Sequence, residues 1–301
     1  MFDEIRYELD GVEIDRSRND DIIRTIKNFV SLTISKSITL ESAGWDGTVH
    51  LFRTPSSEDF NFCVPLTLLG FCEDYKRIVI NARHELILIH ARNDNNCVAP
   101  HESTEPKITL LKIQWKMPHI VLNDVNKLSL LRTLEGGRYL SMCFRSWNLY
   151  KFPLLQSTTN HSWAVKTSQL EKPRYVIFAL QTGKRNVPSQ NLSQFDVCNL
   201  TNVKLFLNSD FYPYDEFRFR TQGAAILYDM YVKFQKTYYG YNNRDAMLSI
   251  FSFLYKNATM DIRIEFECKE NIPLNTTAYC LIIHDRVIEY NPLTNVIRKI
   301  V

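Results

Sequence analysis

Glycine is scarce in this 301-residue chain, with 9 residues, about 3% against a usual ~7%. Loops that cradle phosphate with backbone amides need glycine, so a nucleotide-binding loop is disfavoured from the start. There is no G-x-S-x-G, and therefore no hydrolase elbow. No apolar run reaches the 18 residues that a membrane-spanning helix needs. The opening residues Met1 to Arg6 are charged and alternating, unlike a secretory leader. Charge of one sign is also missing: 36 Lys and Arg against 33 Asp and Glu leave a net +3. That balance gives no electrostatic footprint for nucleic acid or an acidic membrane. The seven cysteines are odd in number and spread out, at Cys63, Cys72, Cys97, Cys143, Cys198, Cys268 and Cys280, with no C-x-x-C pair. They read as small hydrophobes in a reducing compartment rather than a disulfide framework. Five N-x-S/T sequons, beginning at Asn160, Asn191, Asn199, Asn257 and Asn275, arise easily by chance in a chain rich in Asn and Thr and, without a signal peptide, are read as unmodified.

What is present is aromatic and apolar. Eighteen Phe and 15 Tyr sit in a chain that is 45% hydrophobic and 23% charged, enough to fold and bury a sizeable core. Length alone gives a prior of two domains. Ile5, Tyr7 and Leu9 alternate with charged residues, Asp10-Gly11 follows, and Val12 and Ile14 resume the alternation. Period two on both sides of Asp-Gly predicts a hairpin with a type I′ turn, apolar on one face only. Asp20-Asp21 then precede Ile22, Ile23, Ile26, Phe29 and Val30, which predicts a helix over about 20–31.

Further strands are predicted at 78–80, 86–89 and 107–121, where Leu111, Ile113, Trp115 and Met117 alternate with Lys112, Gln114 and Lys116. Polar loops fall at 54–60 and 92–106. Leu128, Leu130, Leu131 and Leu134 predict a short helix ended by Gly136-Gly137, and the domain boundary is placed within 123–137. In the second half the strand candidates are 141–151, 162–167, 174–181, 203–208, 261–268, 278–290 and 295–301. Helices are expected at 225–239, with Gly240 as its cap, and at about 245–255. Many short strands without a βαβ rhythm argue for an all-β architecture of sandwiches or jelly rolls.

The candidate chemistry is sparse. None of the seven histidines forms H-x-H or H-E-x-x-H. His84 and His90 share a strand face but sit about 20 Å apart at ~3.3 Å per residue, too far to grip one ion. Thr182-Gly183-Lys184-Arg185 lacks the rest of a phosphate loop and reads as a solvated turn. His284-Asp285 has the residue types of an acid/base pair, but with no third partner in view it reads as a sheet turn or a satisfied polar cluster. Glu73-Asp74 and Asp215-Glu216 read as loop solvation, since neighbours on a strand point to opposite faces. The aromatic and arginine-rich stretch 211–220 fits packing or an interface, with carbohydrate or base stacking as lesser readings.

Longer stretches carry a resemblance. They are FDEIRYELDGVEIDRSRN (2–19), AGW (43–45), NFCVPLTLLGFCEDYKRIVINARHELILI (61–89) and PKITLLKIQWKMPHI (106–120). In the second half they are FRSWNLYKFP (144–153), WAVKTSQLEKPRYVIFALQTGKRN (163–186), FDVCNLTNVKLFLNSDFYPYD (195–215) and AYCLIIHDRVIEYNPLT (278–294). Together they resemble double jelly-roll proteins related to the major capsid proteins of Polinton-like and adintovirus-like elements in invertebrate genomes.

The resemblance implies two jelly-roll β-sandwiches in tandem with short interspersed helices, over 1–135 with the connecting helix and over 136–301. It implies a structural capsid-type subunit, not an enzyme, with no catalytic, cofactor or metal residues. The implied partners are copies of itself, as a homotrimer or pseudo-hexagonal capsomer, and other capsid proteins, with no specific nucleic acid and no membrane. The implied location is the virion or the cell interior, without secretion. Against the family pattern, the first roll is expected to be short of strands at its N-terminus, and a strand-like insert is expected to be missing at 241–258. This departure raises the reading of an endogenous, degraded copy that no longer assembles. The alternatives are a host-retained interaction protein of the same fold and a carbohydrate-binding sandwich using Tyr212, Tyr214 and Phe217.

Overall fold

The computed structural model describes residues 1–32, 38–44, 61–97, 107–165, 173–187, 190–208, 210–212, 223–240, 251–254 and 262–300. The chain opens with the expected hairpin, β1 (Phe2–Leu9) and β2 (Val12–Arg18). Leu9 pairs with Val12 across Asp10-Gly11, and both turn residues have positive φ, 47° and 77°. That is the type I′ geometry, in which glycine at the second position avoids a Cβ penalty. Helix α1 (Asp20–Ser31) follows, matching its predicted span.

A short helix α2 (Gly70–Asp74) precedes β3 (His84–His90), which pairs antiparallel with β1. The three strands form one sheet in the order β2-β1-β3. Its apolar face, with Ile5, Tyr7, Leu9 and Ile14, is buried. Its other face carries Glu4, Arg6, Glu8 and Arg18 in ion pairs. Helix α3 (Asp124–Glu135) is capped by Asn123, whose side chain accepts a hydrogen bond from the Asn126 amide at 2.9 Å.

The second half builds a two-sheet sandwich. Its strands are β4 (Leu140–Phe152), β5 (Asn160–Val165), β6 (Pro173–Thr182), β7 (Leu200–Leu207), β8 (Asp210–Tyr212), β9 (Phe251–Leu254), β10 (Ile262–Cys268) and β11 (Thr276–Asn291). Helix α4 (Gly223–Tyr239) lies between β8 and β9 and ends at Gly240, with φ 71°. One sheet runs β5-β10-β7-β8 and the other β4-β11-β6-β9. Eight antiparallel strands dealt alternately into two sheets in this order make a jelly roll. A last strand, β12 (Val296–Ile300), pairs with the far end of β11.

The β4-β11-β6-β9 sheet is packed on both faces, which explains the continuous apolar runs of β6 and β11. Val176, Phe178, Leu180, Ala278, Cys280 and Ile282 point toward the other sheet. Tyr175, Ile177, Ala179, Tyr279, Leu281 and Ile283 alternate with them and meet Ile22, Ile23 and Ile26 of α1 and Phe234 and Tyr238 of α4. Beyond this, Met142 and Phe144 of β4 and Ile288 and Tyr290 of β11 extend under the three-stranded sheet and share a core with Ile5, Tyr7, Leu9 and Ile14.

Three expectations fail. Residues 78–80 and 107–121 join no strand. The β-branched run at 78–80 and the alternation within 107–121 suit strands, but no ladder among the described residues takes them up. The helix expected at about 245–255 is contradicted at its end, where Phe251–Leu254 is a strand bonded to β6. Residues 245–250 lie outside the described residues, as does the loop expected at 54–60. The gap expected at 241–258 holds β9 and otherwise lies outside them.

Candidate assembly surfaces and the ionic seam

No cluster of three or more metal-ligating side chains occurs among the described residues. His84 takes its place by bonding Tyr7 Oη at 2.7 Å, while His90 lies at the exposed end of β3, near Asp94. His284 and Asp285 are split by the strand alternation that makes them neighbours. His284 is buried, and Asp285 faces outward in an exposed ion pair with Arg174 at 2.9 Å.

The turn Thr182–Arg185 passes through Gly183 at φ 58°. Lys184 is held by Asp196 at 2.7 Å, so its charge is already answered. The aromatic strip proposed for carbohydrate lies outside the described residues at Tyr214 and Phe217, and so does Asp215-Glu216. Tyr212 is at the end of β8. The cysteines are all free, with Cys268 and Cys280 buried but Cys63 and Cys143 exposed. Burial pushes the Cys268 thiol up to about 12, which leaves it an inert hydrophobe at neutral pH.

Clefts formed by the described residues are open to solvent. One, of about 300 Å³, is lined by Gln181, Arg185, Thr277 and Tyr279 at the end of the sandwich. Another, of about 570 Å³, runs along α3 beside Val125, Leu128 and Arg132. No nucleophile with a base beside it lines either one. No helix among the described residues is long and apolar enough to cross a membrane.

The organised polar chemistry lies instead in a seam where the first half meets the sandwich. Lys27 of α1 is buried, with Nζ donating to Glu73 Oε2 at 2.7 Å and to the Thr67 carbonyl at 3.0 Å. It also sits 4.8 Å above the Trp147 ring. Arg145 of β4 grips Asp74 through its backbone amide and Nε, both at 2.8 Å to Oδ2, and through Nη2 to Oδ1. Its Nη1 donates to the Tyr238 carbonyl at 2.7 Å. The guanidinium lies 3.5 Å from the centre of the Tyr238 ring, a cation–π contact in a largely dry setting. Asp15 of β2 accepts from the Phe71 amide at 3.0 Å and from Ser146 Oγ at 2.9 Å.

Burial pushes Lys27 down, opposed by the charge and hydrogen bond of Glu73. Burial would raise Asp74, but the hydrogen bonds and charge of Arg145 outweigh it and hold the carboxyl below its ordinary value. The pair Glu73-Asp74 is therefore the acidic half of a structural clamp, not the loop solvation expected of it. Sequence reading missed this cluster because its members, residues 27, 73, 74, 145 and 238, converge from separate elements with no spacing to reveal them. The arrangement holds its charges in fixed pairs.

The family model described as the double jelly roll-like domain matches residues 1–288, so the chain belongs to the double jelly roll-like family. The fold also resembles solved structures. The PBCV-1 protein VP54, as fitted into a reconstruction of the virophage Sputnik, has a TM-score of 0.56 at 10% identity, over 100% of this chain and 83% of that one. A quasi-atomic model of the PBCV-1 virus capsid gives 0.49 at 9% identity, over 96% and 81%. The Sputnik virophage structure gives 0.47 at 10%, over 100% and 74%. No curated protein matches the sequence.

Proposed function

We propose that this chain is a capsid-type structural subunit that works by self-association, as a homotrimeric, pseudo-hexagonal capsomer. The observation that carries the reading is the eight-strand jelly-roll order of β4 to β11 within a chain matched by the double jelly-roll family over residues 1–288. In this reading the rolls divide at 135/136, with the seam of Lys27, Glu73, Asp74 and Arg145 fixing the first part against the second. Such a protein works through its surface and needs no catalytic, cofactor or metal residue. The near-balanced charge, +3 over 301 residues, lets copies pack without strong mutual repulsion. The long stretches that resemble Polinton-like and adintovirus-like capsid proteins support an origin in such an element, and a location in a particle or inside a cell.

The test is electron microscopy of the purified chain. Three-fold, pseudo-hexagonal particles or shells built from them support the proposal. Single 301-residue subunits at every concentration would instead support a host-retained interaction protein of the same fold.

A further inference from the structure

Two ion pairs of the seam differ in the chemistry open to them. Arg145 cannot lose its proton in a protein, so its pair with Asp74 stays ionic. Lys27 can, and its surroundings are those of a reactive amine. Lys27 of α1 and Glu73 of α2 lie 46 positions apart in sequence, and their side chains are only 3% and 19% exposed. Lys27 Nζ stands 2.7 Å from Glu73 Oε2. The same oxygen accepts from Tyr238 Oη at 3.2 Å, and Nζ also donates to the Thr67 carbonyl at 3.0 Å. The Trp147 ring walls the site, its centre 4.8 Å from Nζ. Holding two charges this dry carries a desolvation cost on both partners. An amide between them would remove both charges and release one water. Burial already pushes Lys27 down, toward the uncharged amine that attacks a carbonyl carbon.

We propose that Lys27 and Glu73 join through an isopeptide bond, a covalent cross-link between α1 and α2. In the step, Lys27 gives one proton to the Glu73 carboxylate, leaving a neutral amine beside a neutral acid. The Nζ lone pair attacks Glu73 Cδ. A second Nζ proton passes to Oε2, the oxygen to which the Tyr238 hydroxyl donates its hydrogen bond. Oε2 leaves as water and the Cδ–Nζ bond remains. Ammonium and carboxylate become amide and water, with no co-reactant and no net change in protons. The Thr67 carbonyl is placed to accept from the N–H that the amide keeps. Holding amine and carboxyl in contact supplies the proximity that free groups lack. The dry setting favours the product, because the amide is uncharged and its N–H is already matched to an acceptor.

The experiment is mass spectrometry of the folded, purified chain, measured intact after denaturation and reduction and then as a tryptic map. The expected result is a chain one water lighter than its sequence. A branched peptide should carry residues 27 and 73 together, because trypsin does not cut after an acylated lysine. Lys27→Arg keeps the charge but offers no amine, and should show the full sequence mass. Tyr238→Phe keeps the ring against Arg145 and drops the hydroxyl, so its linked form should accumulate about 10²-fold more slowly after synthesis. Wild-type chain of full mass, with residues 27 and 73 in separate linear peptides, overturns the bond. So does a lost water that maps elsewhere or persists in Lys27→Arg. A Tyr238→Phe chain that links at the wild-type rate overturns the part given to the hydroxyl. Should a variant fail to fold, the wild-type mass and map decide alone. Particles built from unlinked chains would overturn the bond and leave self-association standing.

Discussion

Residues 140–300 and residues 107–135 have similar apolar character and opposite fates. In the first region the alternating side chains of two sheets close on each other, and eighteen buried residues from Leu155 to Ile282 form one core. In the second, Leu111, Ile113, Trp115 and Met117 alternate just as cleanly, yet Leu111 is 80% exposed and Ile113 57%. The difference is the partner. Ile262, Ile264 and Phe266 of β10 have ladders on both sides, to β5 and to β7, and a facing sheet above. The 107–117 stretch has neither among the described residues. Periodicity tells a segment which of its faces to hide, while the rest of the fold decides whether anything is there to hide it against.

The comparison can be broken most sharply by truncation. Phe178→Ala removes a fully buried ring that packs against Phe266 at 5.1 Å, and should cost about 3–5 kcal/mol. Leu111→Ala in the subunit should stay within about 0.5 kcal/mol of wild type. Urea denaturation of both reads the contrast, and equal losses would mean that the 107–117 stretch is packed in the subunit after all.

Gly70→Ala comes next. A Cβ there would lie 1.7 Å from the Arg145 carbonyl oxygen, so backbone must move where α2 meets β4. A loss of about 1–3 kcal/mol is expected, and an unchanged denaturation midpoint would show that the seam is not closely packed.

The third effect depends on pH. Asp74 ionises more readily folded than unfolded, because Arg145 outweighs the cost of its burial. Its contribution is therefore present above the ordinary carboxylate range and lost as pH falls through its lowered folded value, below about pH 4. Asp20 has the opposite sign: burial raises it despite Arg24, so its contribution is present in acid and lost as pH rises through the raised value. Asp74→Asn should lower stability at neutral pH and flatten the acid limb of a midpoint-against-pH curve. An unaltered acid limb would remove Asp74 from the account.

The smallest effect is at the edge of the exposed region. Asn123→Ala removes the α3 cap and should cost about 1 kcal/mol of local stability. Faster amide exchange confined to residues 124–127 would show it, and loss spread through the sandwich would contradict the separation of the two regions.

Much of the fold was legible because its segments carry their own instructions. Asp10-Gly11 between alternating strands specifies the first hairpin. The isoleucines after Asp20-Asp21 specify α1, and Gly240 marks the end of α4. The run Ala278–Ile283 was legible as a strand, although its unbroken burial follows from a sheet covered on both faces, which no local pattern records. The seam was illegible for a different reason. Lys27, Glu73, Asp74 and Arg145 look like ordinary surface charges until topology brings them together, and Glu73-Asp74 looks like a solvated loop until Arg145 and Lys27 arrive. The same limit applied to His284-Asp285, where adjacency in sequence became opposition across a strand.

Sedimentation equilibrium of the purified chain tests the central claim most directly, because a subunit that works through its surface must bind copies of itself. A concentration-dependent rise to three times the chain mass is the predicted result. A single species of one chain mass, unchanged up to the highest soluble concentration, would contradict it.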